Sequence, residues 1–345
     1  MYIRRILLLT VVLGLIFMGS FAFYVYKVMF MSNTSFESDF VQIYIKTETT
    51  YDQLLNQVDP YLTRVDDFDV LAKRKKYSVR PGKYILNKGM SNNDIINSLR
   101  SNNITVNVIF NNVKDLNDLA GKLSNQIEAD SLSFLSSFDT DFFIEKGFDE
   151  KNILSMYIPN SYNFFWNTSA EQFNERMFEE HTKFWQKNNR VQKANKIGLS
   201  KKEVMILASI VYEESKGNIE LPKIAGVYVN RLNNNWKLQA DPTVKFAAYQ
   251  LDEYKNTVIR RVLNKHLKID SPYNTYKYSG LPPGIISMPS IQAIDAVLNY
   301  DKHNYYFFAA DPTKPGYHSF ARTLSEHKRN ARKFHRYLNS KGIKK

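Results

Sequence analysis

The chain has 345 residues, 43% hydrophobic and 23% charged, which excludes wholesale disorder and leaves room for two domains. It has no cysteine, so disulfides and thiolate metal sites are excluded. The net charge of +13 points to an anionic partner: nucleic acid, anionic lipid, or an acidic polymer such as a cell wall. No helix-turn-helix, zinc-finger or RNA-binding aromatic motif is present, and the basic residues are dispersed except at the tail, which argues against nucleic acid.

The first 30 residues read "MYIRRILLLTVVLGLIFMGSFAFYVYKVMF". Ile6 to Tyr26 is a 21-residue run without charge, and as a helix it spans about 30 Å, the hydrocarbon thickness of a bilayer. Arg4 and Arg5 precede it, so the positive-inside bias predicts residues 1–5 in the cytoplasm and the remainder outside, at the plasma (inner) membrane. Tyr24 and Tyr26 fit an interfacial belt. The run exceeds the apolar core of a cleaved signal peptide, and Ser20-Phe21-Ala22 is a poor cleavage site. An uncleaved single-pass anchor over 6–26 is therefore predicted, in contact with membrane lipid.

Residues 27–39 are read as a linker. "DFVQIYIKT" then alternates Val41, Ile43 and Ile45 as a strand does. "TTYDQLLNQV" and residues 66–76 are predicted helices. "YSVRPGKYIL" is predicted as a strand with a turn at Pro81-Gly82. Ser91 is positioned to cap a helix burying Ile95, Ile96 and Leu99, and "ITVNVIF" closes the module as a strand. This is an α+β module over 40–112. Its pattern fits a structural spacer as well as a LysM-like glycan-binding module.

From residue 113 the chain becomes helix-rich. "DLNDLAGKLSNQI" is amphipathic, and Phe173, Met177, Phe184 and Trp185 form an apolar helical stripe. "LSKKEVMILASIVYEES" is a helix opened by a capping box, Ser200 with Glu203. Leu207, Ile210, Val211 and Glu214 fall at i, i+3, i+4 and i+7, so Glu214 continues the buried stripe while Glu213 points about 100° away. A carboxyl on an apolar face at a helix C-terminus is pushed toward its neutral form by desolvation and by the dipole, which suits a general acid. Ser215 and Gly217 also fit an ordinary helix stop with a surface glutamate, so spacing alone leaves both readings open.

Four further strings follow: "GVYVNRL" from Gly226, "LQADPT" from Leu238, "SPYNTYKYSGLPPG" from Ser271 and "HSFARTLSEH" from His318. Each has a structural explanation. Asp241 before Pro242 is a ready N-cap, Thr323 with Glu326 is a capping box for a basic tail helix over 325–345, and "LPPG" is a stiff turn. His318 and His327 have no partner at metal-ligand spacing, so no metal or other cofactor is expected.

Taken together and in order, "ASIVYEES", "VNRL", "LQADPTV", "YNTYKYSGLPPG" and "HSFARTLSEH" resemble the endolytic murein transglycosylase (YceG-like) family, with similarity over nearly the whole chain. The resemblance implies an N-terminal anchor, a LysM-like module and a helix-rich α+β catalytic domain over 113–345. It implies a lytic transglycosylase that cuts peptidoglycan glycan strands between N-acetylmuramic acid and N-acetylglucosamine. The cut leaves 1,6-anhydromuramic acid ends and ends strand elongation, and peptidoglycan synthases are the implied partners. The family's essential glutamate falls on Glu214. A motif commonly written I-V-E-K-E reads "IVYEE" here, so Tyr212 replaces its first acid, and Ala240 replaces a threonine. Gln239, Asp241, Tyr273, Asn274 and Tyr276 are the implied sugar-holding residues. A non-catalytic wall-binding protein and a lysozyme-like hydrolase using Asp241 as a second carboxylate are the rival readings.

Overall fold

The computed structural model describes residues 2–138, 141–215, 217–255 and 257–340, a mixed α and β protein. The chain divides into two compact units. One comprises Met1–Val108 with Asn125–Ala129 and Tyr162–Ser169, and the other Ile109–Ser124, Asp130–Ser161 and Ala170–Lys345. A single cut after residue 112 was expected. The two short segments return to the first unit because Trp166 packs edge-on against Tyr44 at 5.1 Å and Glu128 accepts hydrogen bonds from the backbone N–H (2.6 Å) and hydroxyl (2.8 Å) of Thr47.

In the first unit the apolar helix runs from Tyr2 to Phe30, with a mean hydropathy of 2.6 over its most apolar 18 residues, none of them covered by other parts of the chain. It is long and apolar enough to cross a membrane. It continues beyond the expected end at Tyr26, because its final turn has something to pack on: Val28 is buried in the core of the following module. The expected linker is partly helix and partly pinned chain. Asn33 is fully buried; its amide donates to Asn92 Oδ1 (2.6 Å) and Arg64 O (2.9 Å), and its Oδ1 accepts from Arg64 N (2.8 Å). Asn92 in turn donates to Val28 O at 2.8 Å. Two buried amides thus satisfy one another and the carbonyl near the helix end.

In the module, β1 (Phe40–Ile45) pairs antiparallel with β2 (Gly82–Asn87), Ile43 opposite Tyr84. Helices Tyr51–Val58 and Val65–Arg74 lie between them in sequence, and helix Asn92–Ser101 follows. Thr50 with Gln53 and Ser91 with Asp94 close capping boxes. Ile43, Ile45, Leu54, Phe68, Ile95, Ile96 and Leu99 fill one core. "YSVRPGKYIL" was expected as a strand with a turn at Pro81-Gly82; the strand instead starts there, with Gly82 opening β2 at φ +145°, where a Cβ would strike the Asn103 side chain, which accepts from Lys83 N at 3.0 Å. β3 (Thr105–Phe110) pairs with β4 (Asn160–Phe165).

The second unit is built around the helix Lys201–Glu214, whose residues Val204 to Val211 are all buried. The Ser200–Glu203 capping box starts it. Helices Leu221–Asn233 and Ile291–Leu298 pack on it. Helix Ala170–Gln186 buries Phe173, Met177, Phe184 and Trp185 as the stripe predicts. β5 (Phe307–Ala310) and β6 (His318–Ala321) form an antiparallel pair, and helix Leu324–Ser340 follows. The last five residues of the expected tail helix, 341–345, lie outside the described residues.

One buried cation ties the unit together. Arg190 donates to Asp295 Oδ1 at 2.8 Å and Oδ2 at 2.9 Å, and its guanidinium lies 3.9 Å from the Phe184 ring centroid. Removing one partner of a buried pair costs roughly 3–5 kcal/mol, and less where the anion is partly solvated, as Asp295 is. Asp295→Ala is therefore expected to destabilise the unit by roughly 2 kcal/mol. A thermal melt should show Tm falling by several degrees, and an unchanged Tm would remove the pair from this role.

Candidate active site

Glu214 is the last residue of its helix, placed by the buried stripe Leu207, Ile210 and Val211. Ser215 ends the helix in an extended conformation (φ −142°). Gly217 has φ −99°, so it is not the left-handed stop that the sequence suggested. Glu213 faces solvent, as the spacing predicts.

The neighbouring helix Leu221–Asn233 presents Tyr228 and Arg231, three residues apart and so on one face. The buried Tyr228 hydroxyl donates to Glu214 Oε1 at 2.5 Å. The buried Arg231 guanidinium donates from Nε to Tyr306 O at 2.7 Å and from Nη1 to Leu238 O. It also lies 5.3 Å from the Phe307 ring centroid, which puts a fixed cation beside the cleft.

A cavity of about 400 Å³ opens against these groups, lined by Glu214, Tyr228, Arg231, Gln239, Asp241 and Tyr276, with Phe307, Phe308 and His327 also contributing. Gln239 holds φ +47°, a strained conformation for a residue with a side chain, and is exposed. Asp241 accepts a hydrogen bond from the Tyr276 hydroxyl at 2.7 Å. It is the first residue of helix Asp241–Tyr249, with Ala240 rather than Asp241 at the N-cap.

A second cavity of about 460 Å³ opens on Glu214 as well, lined by Glu220, Tyr317 and His318 among others. There Glu220 Oε2 lies 2.9 Å from His318 Nδ1, and the same carboxylate accepts from the His318 backbone N–H at 3.0 Å. Glu214 is thus the carboxyl common to two open spaces.

The electrostatics separate the roles. Burial pushes the Glu214 carboxyl up to about 7, and the charge of Asp241 pushes the same way; the Tyr228 hydrogen bond, Arg231 and Lys245 oppose them. The rise therefore comes first from desolvation, as the sequence suggested, with a neighbouring carboxylate added. Burial also drives the Tyr228 and Tyr276 hydroxyls upward, so both remain neutral donors. Burial, then Arg231, lowers His327, which stacks on Phe307 at 5.3 Å and stays neutral.

Of the residues singled out in the sequence, Glu214, Gln239, Asp241 and Tyr276 meet in one cleft. Tyr273 and Asn274 do not line it. Tyr273 is buried with its ring 4.7 Å from Phe246. Asn274 is fully buried, donating to Leu267 O (3.0 Å) and Ile269 O (2.8 Å) and accepting from Tyr276 N. Thr275 then clamps the Gln239–Ala240 backbone: its carbonyl accepts from Gln239 N and its hydroxyl from Ala240 N. "YNTY" is therefore mostly scaffold, with Tyr276 alone reaching the cleft. Tyr228 and Arg231 were quoted within "GVYVNRL" but not assigned; their spacing of three was the available signal. His318 and His327 bound the quoted string "HSFARTLSEH" but were given no site role; nothing local marks Phe307 or Glu220, which long-range packing assembles.

The sequence profile of the YceG-like family matches residues 43–333. The chain is 32% identical over 281 residues to a protein named endolytic murein transglycosylase from Bacillus subtilis, covering 76% of this chain and 74% of that one. A protein of the same name from Streptococcus pneumoniae is 34% identical over 143 residues, 41% of this chain and 25% of its own length. The crystal structure of a YceG-like protein from Listeria monocytogenes shares the fold, with a TM-score of 0.56 at 22% identity over 85% of this chain and 99% of that one. By its sequence over residues 43–333, the chain belongs to the YceG-like family.

Proposed function

We propose that the chain is a membrane-anchored endolytic lytic transglycosylase of peptidoglycan, with Glu214 as its proton-transferring residue. The observation that carries this is a carboxyl whose pKa burial raises to about 7, hydrogen-bonded by Tyr228 and lining two cavities. The relatives' shared name supplies the substrate class, glycan strands of alternating N-acetylglucosamine and N-acetylmuramic acid.

Protonated Glu214 gives its proton to the glycosidic oxygen leaving muramic acid C1. Positive charge develops on the sugar. The resulting carboxylate then takes the proton of the C6 hydroxyl as that oxygen attacks C1. One C–O bond breaks and one forms, the proton is returned to Glu214, and no water is consumed. A single carboxyl suffices because the nucleophile belongs to the substrate and intramolecular attack carries a large effective molarity. Tyr228 steadies the carboxylate between the two proton transfers. Gln239, Asp241 and Tyr276 hold the sugar. A lysozyme-like hydrolase is the second reading, because Asp241 provides another carboxyl in the same cleft. Anhydro ends in the mass spectrum of digested strands establish the transglycosylase, and hydrated reducing ends establish the hydrolase.

The anchor, with Arg4 and Arg5 on the cytoplasmic side, places the catalytic unit outside the cell membrane. The first unit's module is LysM-like in this reading and binds wall glycan. Cutting near emerging strands ends their elongation, which makes the peptidoglycan synthases natural partners.

Glu214→Gln is expected to abolish strand cleavage while the fold persists; cleavage at the parent rate would remove the assigned role. The fold favours the neutral carboxyl, so the native state holds this proton more tightly than the unfolded chain does. Stability contributed by neutral Glu214 is present below the ordinary value of 4.5 and declines as pH rises toward about 7. The Gln variant should therefore melt several degrees higher than the parent at pH 8 and at the same temperature at pH 4. For the parent, kcat/KM should fall roughly tenfold per unit above about pH 7. Tyr228→Phe removes a bond that lowers the carboxyl's pKa, so this limb should move to higher pH while the rate drops roughly 10- to 100-fold. A limb that stays in place would separate Tyr228 from the proton transfer.

A further inference from the structure

Trp236 is an exposed aromatic beside the cleft that the proposed chemistry does not use. It is 45% exposed, whereas Trp185 is buried in the core and Trp166 packs against Tyr44. Its ring lies 4.9 Å from Tyr306 and 6.0 Å from Phe307. Phe307 also lines the cleft, with Arg231 over its ring and His327 stacked against it. Aromatic faces therefore run without a break from the surface to the space beside Glu214.

The backbone explains the arrangement. Asn235 takes φ +56° as the left-handed cap after the helix, with Trp236 N bonded back to Arg231 O, and Gln239 takes φ +47°, a strained value for a glutamine. Leu238 and Ala240 are buried, while Trp236, Gln239 and Asp241 are exposed. One short segment thus presents an indole, an amide and a carboxylate outward. Hydrogen-bonding groups border the indole: the Asn234 amide donates to the Tyr306 hydroxyl at 3.1 Å. An exposed aromatic face with polar groups at its edge suits the apolar face of a pyranose ring and its rim of hydroxyls.

We infer that Trp236, with Tyr306 and Asn234, forms an outlying sugar subsite that stacks a ring of the glycan strand away from the bond being cut. This rests on the glycan-cleaving reading of Glu214. The subsite grips internal stretches of a strand and gives long strands an advantage over short fragments.

The test uses the full-length Glu214→Gln protein in detergent, which leaves strands intact, and peptide-free glycan strands of several disaccharides as the probe. Adding strands should shift the exposed indole's fluorescence to the blue. Trp236→Ala should weaken binding roughly tenfold, and Trp236→Phe should retain most of it. In the active enzyme, Trp236→Ala should raise KM for long strands with kcat unchanged, and leave a short fragment's kinetics alone. Equal affinity of the Ala variant and its parent, or no binding by the parent, overturns the subsite. Product analysis of the active enzyme reports separately on the chemistry. Anhydro ends combined with equal affinities would sink the subsite alone; weakened binding combined with no cleavage would leave the subsite and sink the catalytic reading.

Discussion

The site depends on the partial desolvation of one carboxyl. A helix that is apolar along its whole inner face delivers Glu214 to the edge of its own core. Water is removed on that side, and the cleft remains on the other. Burial disfavours the charged form, while the Tyr228 hydroxyl limits how far that goes by donating to the same oxygen pair. The balance leaves a group that gains and loses a proton at comparable cost, which a purely exposed or purely sealed carboxyl could not do.

Around that group the chain uses rigid supports. Arg231 is fixed by two backbone carbonyls and therefore holds Tyr306, just before β5, and Leu238 against the helix that also carries Tyr228. Thr275, buried behind the cleft, fixes the backbone at Gln239 and Ala240, while the buried Asn274 fixes the loop that carries Thr275 and Tyr276. Supporting residues in this site are thus buried amides, hydroxyls and a guanidinium, each satisfied by backbone.

The local features were legible in the sequence because they follow from short-range geometry. The Ser200–Glu203 box, the Leu207–Glu214 stripe and the β1–helix–helix–β2 order of the module are set by periodicity and capping. Cleft residues in "LQADPT" were found through ordered motifs. Within "YNTY", Tyr273 and Asn274 pack inside the protein rather than line the cleft, a distinction the string does not carry, because a polar string reads the same whether its side chains face a cavity or backbone. Phe307, His327, Glu220 and His318 come to line cavities with Glu214 across long sequence separations; "HSFARTLSEH" flagged the two histidines, but no local pattern encodes their placement. The 27–39 stretch looked like a linker because Ser and Asn are usually solvated; burial of Asn33 depended on a second amide, Asn92, far along the chain.

That pair of amides has a mechanical meaning. With Asn92 bonded to the carbonyl of Val28 and Asn33 locked to the turn after the helix, the anchor and the module share one stiff joint. A hinge there would let the module turn freely about the end of the helix. If the helix crosses a bilayer as proposed, a change in lipid thickness that alters the lean of this apolar rod makes the module lean with it.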